Sequence, residues 1–195
     1  MSFPFLREED VDQILSYCTF CEFNKKEVFL PLGQVAQFYY FLIEGTVRAY
    51  SVDDAGNDST IMIHSENALF GSLESLYRSS PTKRGLQAAE ASKLMKIRQE
   101  DFQQLAFSNV RIAKMYMTGS TLAMLKYLDH IELLSTKIPE ERYLETLKNN
   151  PEVFQKVRHK DIATLLGITP NSLSRIIKRQ NTTSGRVENS NDPPQ

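Results

Sequence analysis

Arg158 to Gln180 reads RHKDIATLLGITPNSLSRIIKRQ, and its spacing predicts two short helices joined by a tight turn. Ile162, Leu165 and Leu166 recur at helical spacing, which gives the first helix an inward face. Ala163 is small where a second helix must cross closely, and Gly167 supplies the turn. Thr169 suits an N-cap, and Pro170 follows at the first helical position, where a missing N–H costs nothing. Leu173, Ile176 and Ile177 form the inner face of the second helix, leaving Asn171, Ser172, Arg175, Lys178 and Arg179 outside. Such a row on a capped helix suits the major groove of double-stranded DNA, where Asn pairs with adenine and Arg with guanine. The plainer alternative is a helical hairpin with a solvated charged face. The coincidence of turn glycine, cap, proline, buried triad and basic face favours DNA.

Charge is distributed to match. The 195-residue chain carries a formal net charge of −1, which by itself gives no pull on nucleic acid. Between residues 156 and 180, Lys156, Arg158, Lys160, Arg175, Lys178 and Arg179 face the single acid Asp161, a local balance of +5, while residues 1–155 balance at −5. A basic segment on an acidic body concentrates the attraction for phosphate at one end. Arg158, His159, Lys160, Lys178 and Arg179 are the expected phosphate contacts. Thr169, Asn171, Ser172 and Arg175 lie where base edges come within reach, with Asn171 and Arg175 as the expected readers.

A hydrophobic content of 41% and a charged content of 24% describe an ordinary soluble globular protein. No apolar run approaches the length of a membrane span. The N-terminal MSFPFLREED lacks the basic-then-apolar pattern of a signal peptide, so cytoplasmic residence and no membrane partner are expected. Cys18 and Cys21 form a C-x2-C pair, but no second Cys or His pair lies nearby to complete a zinc or iron–sulfur site. They read as half-buried thiols near a helix end, with a dithiol switch as the alternative. His64 and His130 stand alone, and neither a metal nor a resident cofactor is expected. No nucleophile elbow or phosphate-cradling glycine loop is present, and Ser72 after Gly71 has no placed histidine, so an enzyme is not expected.

Upstream, a short helix from Glu8 to about Thr19 gives way to strand-like runs: Val28 to Leu30, Phe38 to Ile43, Thr46 to Val52 and Ser59 to His64. Turn signals at Gly33, Gly45 and the polar hexad Asp53 to Asp58 separate them, and further strands are expected around Leu86 to Glu90 and Leu94 to Arg98. Many short strands with glycine corners imply a small barrel or roll. Asp101, Phe102, Leu105 and Ala106 suit a short helix, and Ser108 or Asn109 can cap a long one from Val110 to Leu134. That helix carries two apolar stripes. Ile112, Tyr116, Gly119, Leu122 and Ala123 can cover the roll, and Met117, Met124, Leu128 and Ile131 can meet a second copy of the same helix. At about 1.5 Å per residue it is long enough to separate a sensor from a DNA-binding end. Pro139 starts another helix with Arg142, Tyr143, Leu144 and Leu147 on its inner face. Past Gln180 only Val187 is a large apolar residue, which predicts a disordered tail.

The architecture expected is therefore α+β. A β-roll sensor spans 1–107, a long dimerisation helix 108–136, a helix-turn-helix domain 137–181 and a disordered tail 182–195. This order resembles the Crp/Fnr family of bacterial transcription regulators over about residues 10–180. Phe38-Tyr39-Tyr40-Phe41-Leu42-Ile43-Glu44-Gly45 looks like the family's strand and turn, and Leu69-Phe70-Gly71-Ser72-Leu73 like the start of its phosphate-binding cassette. Gln87-Ala88-Ala89-Glu90 followed by Leu94-Met95-Lys96-Ile97 is similar to the strand pair closing the roll. Asp161-Ile162-Ala163, Leu166-Gly167-Ile168-Thr169 and Leu173-Ser174-Arg175 resemble its DNA-reading unit. The resemblance implies a cyclic-nucleotide-binding-like double-stranded β-helix, a homodimer on a two-fold symmetric operator, and RNA polymerase as a further partner.

Two departures shape the expectation. Ser72 stands where cyclic-nucleotide binders of the family carry an acid, and the place of their Arg-Ser pair falls near Thr82-Lys83. Lys83 or Arg84 is left as the anion contact, and Tyr127 and Leu128 stand where such members place polar base contacts. The implied effector pocket (Gly71, Ser72, Leu73, Lys83, Arg84 and Tyr127) is thus degenerate, and the effector is an unknown small molecule other than cyclic AMP, or none. No β-hairpin wing pattern follows the second helix. The rival reading is a dimeric small-molecule sensor or scaffold that does not read DNA. Its mark would be a disrupted second helix, and none is seen after Pro170.

Overall fold

Glycine corners and runs of β-branched and aromatic residues break the first part of the chain into short antiparallel strands, described in a computed structural model covering residues 3–188. In chain order they are β1 (Thr19–Phe23), β2 (Val28–Leu30), β3 (Phe38–Glu44), β4 (Val47–Val52), β5 (Asp58–His64), β6 (Leu69–Phe70), β7 (Gly85–Ala88) and β8 (Ser92–Arg98). One sheet has the order β1-β8-β3-β6 and the other β2-β7-β4-β5, and every pair is antiparallel. Register follows the apolar pattern: Leu42 pairs with Leu94 and Val47 with Ala88, and all four are fully buried. The inward residues of both sheets share one core with Phe102, Leu105, Ile112 and Met115 from the helices that follow. This is the expected roll.

Helices frame it. In chain order these are α1 (Glu8–Tyr17), α2 (Leu73–Arg78), α3 (Gln99–Ser108), α4 (Val110–Thr136), α5 (Pro139–Asn149), α6 (Val153–Lys156), α7 (His159–Leu165) and α8 (Pro170–Glu188). Asn109 separates α3 from α4, and its Oδ1 accepts the Arg111 amide N–H at 3.0 Å, the cap expected of this position. A buried cluster fixes the root of α4. The carboxylate of Asp10 on α1 accepts Nε and Nη2 of Arg111 at 2.6 and 2.8 Å, Nδ2 of Asn109 at 2.6 Å and the Arg7 amide at 2.9 Å. The Arg111 guanidinium, with the amide donors, holds the Asp10 carboxyl well below the usual carboxylate range.

The chain divides into two units, residues 1–131 and 132–195, so the long helix expected to stand by itself over 108–136 belongs to the roll as far as Ile131. Four elements go beyond the sequence reading: β1, of which only Thr19 fell in the expected opening helix, the two-residue strand β6, α2 and α6. Leu144, expected inward on α5, is exposed, whereas Tyr143 is buried. Helix α8 continues past Gln180 to Glu188. The Thr182 hydroxyl donates to the Lys178 carbonyl at 2.9 Å, one turn back along the helix. Residues 189–195 of the expected tail lie outside the described residues. No strand follows Arg98 among the described residues, so a β-hairpin wing is absent from them.

Gly45 turns β3 into β4 at φ +102°, and a Cβ there would stand 2.5 Å from Ser92 Oγ and 2.6 Å from the Ala91 carbonyl. Gly56 is also left-handed, at φ +84°, but faces open space. Gly56→Ala should therefore cost about 1 kcal/mol, from backbone strain alone. Gly45→Ala should cost about 3 kcal/mol or more, because overpacking is added. Urea unfolding followed by circular dichroism checks the ranking.

Candidate functional site

The two-helix unit forms as its caps dictate. At the end of α7 the amide of Ile168 donates to the Ala163 carbonyl at 3.0 Å and that of Gly167 to the Thr164 carbonyl at 3.0 Å, with Gly167 at φ +66°. This paired bonding closes the helix through a left-handed residue. Two residues later, Thr169 Oγ1 accepts the Ser172 amide at 3.1 Å and so caps α8. Ile162, Ala163, Leu166, Leu173 and Ile176 are buried between the helices, as the spacing predicted.

Arg142 on α5 braces the turn. Its guanidinium donates to three carbonyls, those of Leu166 at 3.0 Å, Leu134 at 2.8 Å and Lys137 at 2.8 Å. An arginine expected on an inner apolar face is thus a clasp, and the planar fork suits the task.

The expected contact residues fall into groups. Asn171, Arg175 and Lys178 are exposed and recur, with Thr182, at the spacing of one helical row. His159 and Lys160 are exposed at the start of α7. The structure constrains three others. Ser172 is half-buried, and its hydroxyl lies 2.9 Å from Thr169 Oγ1, so both hydroxyls are engaged at the cap. Arg158 gives Nε and Nη2 to the buried Asp161 at 2.6 and 3.0 Å, which commits part of its fork within the unit. Arg179 lies 3.5 Å from Glu140, whose carboxylate also accepts Gln180 Nε2 at 2.7 Å. Ser174, Asn181 and Thr182 line the same exposed flanks of α8; sequence reasoning missed Asn181 and Thr182 because it ended the helix at Gln180.

A second site lies in the roll. A cavity of about 170 Å³ is lined by Gly71, Ser72, Leu73, Arg84 and Tyr127, as expected, and also by Ala49, His64 and Leu86. A smaller adjoining cleft adds Tyr39, Phe70, Gly119, Ser120 and Ala123. Lys83 is exposed and lines neither, so of the expected basic pair only Arg84 reaches the cavity. Arg84 Nη1 donates to Glu74 Oε2 at 3.2 Å, and Ser72 Oγ shares a 2.6 Å hydrogen bond with Thr82 Oγ1. His64, passed over as a lone histidine, stacks on Phe70 with centroids 4.4 Å apart. Its signal was in the strand period: Thr60 and Met62, buried on β5, share its face. Burial, with Lys126 nearby, lowers its pKa to about 3, so it is neutral at physiological pH.

Burial pushes the thiols of Cys18 and Cys21 up, which keeps them protonated and poorly nucleophilic. Among the described residues no three His, Cys, Asp or Glu side chains cluster as metal ligands. No helix among them is long and apolar enough to cross a membrane.

The roll defines a class: residues 20–109 match the family model of the cyclic nucleotide-binding domain. Over most of its length the chain is also similar to curated transcriptional regulators. It is 21% identical over 183 residues to the cAMP-activated global transcriptional regulator CRP of Haemophilus influenzae, covering 88% of this chain and 81% of that protein. Identity to the regulator of the same name from Pasteurella multocida is 20%, covering 86% of this chain and 85% of that one. Among solved structures, FixK2 from Bradyrhizobium japonicum shares the fold with a TM-score of 0.74 at 19% identity, covering 86% of each chain. The c-di-GMP-responsive global regulator CLP of Xanthomonas campestris does so with a TM-score of 0.72 at 18% identity, covering 91% of this chain and 93% of its own.

Arg142→Ala should destabilise the C-terminal unit by about 2 kcal/mol, because the carbonyls it serves lose charge-assisted partners. Arg142→Lys, a point charge without the fork, should recover only part of that. Thermal unfolding followed by circular dichroism reads both.

Proposed function

We propose that the chain is a sequence-specific DNA-binding transcription regulator of the Crp/Fnr type. It acts as a homodimer on a two-fold symmetric operator and answers to an effector other than cyclic AMP, or to none. The observation that carries this reading is the exposed row Asn171, Arg175 and Lys178 on a capped helix braced from behind by α7 and Arg142. Asn171 and Arg175 read bases; Lys178, Arg179, His159 and Lys160 meet phosphate, with Arg158 sharing its fork with Asp161. Thr169 and Ser172 contribute to that surface mainly by shaping the helix start.

Dimerisation is supported by the outer face of α4. Met117, Met124, Leu128 and Ile131 are 67%, 55%, 52% and 58% exposed in the single chain and, with Thr121, alternate at spacings of four and three residues. That is the seam of a coiled coil, and a second copy of α4 would cover it. Two recognition helices about 34 Å apart would then reach successive major grooves. RNA polymerase is a further partner on this reading, and the cytoplasm its place of action.

Binding to DNA from upstream of the protein's own gene, measured by fluorescence anisotropy across a salt series, tests the reading. Wild type should bind with a steep salt slope and prefer a site there over random DNA. Arg175→Ala should lose about 1–3 kcal/mol of that preference. Lys178→Ala should weaken all sequences alike and reduce the salt slope by about one. Absence of binding to any DNA at low salt would replace the regulator by a dimeric sensor or scaffold.

A further inference from the structure

The cavity in the roll has a size and chemistry of its own. At about 170 Å³ it is close to the ~150 Å³ at which an apolar protein cavity admits one benzene ring. Common ligand pockets are about 300–1,000 Å³, and a nucleotide needs room for base, sugar and phosphate together. Its one cation, Arg84, is paired with Glu74. The Ser72 hydroxyl is held by Thr82, and the Tyr39 hydroxyl lies 2.8 Å from that of Tyr116. Two polar tips remain. His64 and Tyr127 line the cavity, and neither side chain has a hydrogen bond among the described residues. No unsatisfied polar side-chain atom is sealed from solvent, so the nitrogens of His64 keep an opening. Burial keeps both groups uncharged, the imidazole neutral and the Tyr127 hydroxyl protonated.

An ion entering here would lose its hydration and find either a paired arginine or neutral rings, which is unfavourable. A flat apolar ring would meet His64, backed from the adjoining cleft by Phe70 with planes 11° apart, beside the aliphatic side chains of Leu73 and Leu86. A hydroxyl on that ring can donate to the neutral imidazole, which keeps one acceptor nitrogen. We propose that the roll binds an uncharged single-ring aromatic molecule carrying one hydroxyl, with the ring among Ala49, Leu73 and Leu86 and the hydroxyl on His64. The binding stands on the cavity alone; its regulatory consequence rests on the regulator reading above. Gly119 and Ala123 of α4 line the adjoining cleft, so an occupied cavity bears on the helix that also carries the dimer seam.

The test is calorimetric titration of the full chain, free of DNA, with phenol, toluene, benzoate and cyclic AMP. Phenol should bind one per chain, toluene about tenfold more weakly, and benzoate and cyclic AMP not measurably. His64→Phe keeps an aromatic ring and removes the nitrogens, so phenol should fall to the level of toluene while toluene is unchanged. Ala123→Leu should reduce both by crowding the cleft, and circular dichroism verifies that each variant is folded. If His64→Phe fails to fold, the reduction in Ala123→Leu and the ranking of ligands in wild type carry the test. No phenol binding by wild type would overturn the proposal, as would binding of cyclic AMP as tight as that of phenol, or phenol binding indifferent to both variants. Because no DNA is present, a failure here leaves the anisotropy result untouched, and a failure there leaves this one.

Discussion

Close approach of α4 to the roll at Gly119 governs what both faces of that helix can do. A Cβ at Gly119 would stand 3.1 Å from Leu69 Cδ2, tighter than ordinary contact, so the helix packs closely on the Leu69 side chain of β6. Ile112 and Met115 are buried on the same side, and Asp10 and Asn109 fix the start of the helix through Arg111. One face is thereby used up. The opposite face is also apolar, and a helix with two apolar faces needs two coverings. Homodimerisation through α4 is the proposed second one, and it makes the roll and the dimer seam opposite sides of a single rigid element.

The two sites solve opposite electrostatic problems. On α8, charge is displayed: Arg175 and Lys178 stand exposed on a row set by Thr169 and the Gly167 turn. Neighbouring cations are partly engaged, Arg158 by Asp161 and Arg179 by Glu140, which orients them but lowers the charge they offer to phosphate. In the roll, charge is cancelled or suppressed, by the Arg84–Glu74 pair and by burial of His64 and Tyr127. A site that suppresses charge suits recognition by shape and a single hydrogen bond.

The sequence was most legible where local chemistry decides structure. Strand β2 begins and ends where the β-branched run does, and β3, β4 and β5 differ from their expected bounds by one residue at an end. Thr169, Pro170 and Gly167 announced the helix-turn-helix because caps and turns are short-range devices. It was least legible where tertiary partners decide. Strand β6 has two residues and exists because Leu69 and Phe70 pair with Phe41 and Tyr40. Strand β1 was not read from the sequence at all and is drawn into the sheet by pairing along β8. Arg142 looked like part of an inner face, since nothing in its neighbours reveals the three carbonyls that gather around it. His64 was passed over as an isolated histidine, although its place in the alternation of β5 pointed inward. The length of α8 past Gln180 had no apolar period to mark it.

Selection of bound sequences from a randomised duplex pool by the full chain tests the central claim most directly. The account predicts enrichment of a two-fold symmetric motif whose half-sites are centred about one helical turn apart, or a multiple of it. Guanine and adenine positions within each half-site should lose enrichment when Arg175 and Asn171 are replaced by alanine. A single unsymmetric half-site, or no enrichment over the starting pool, would contradict it.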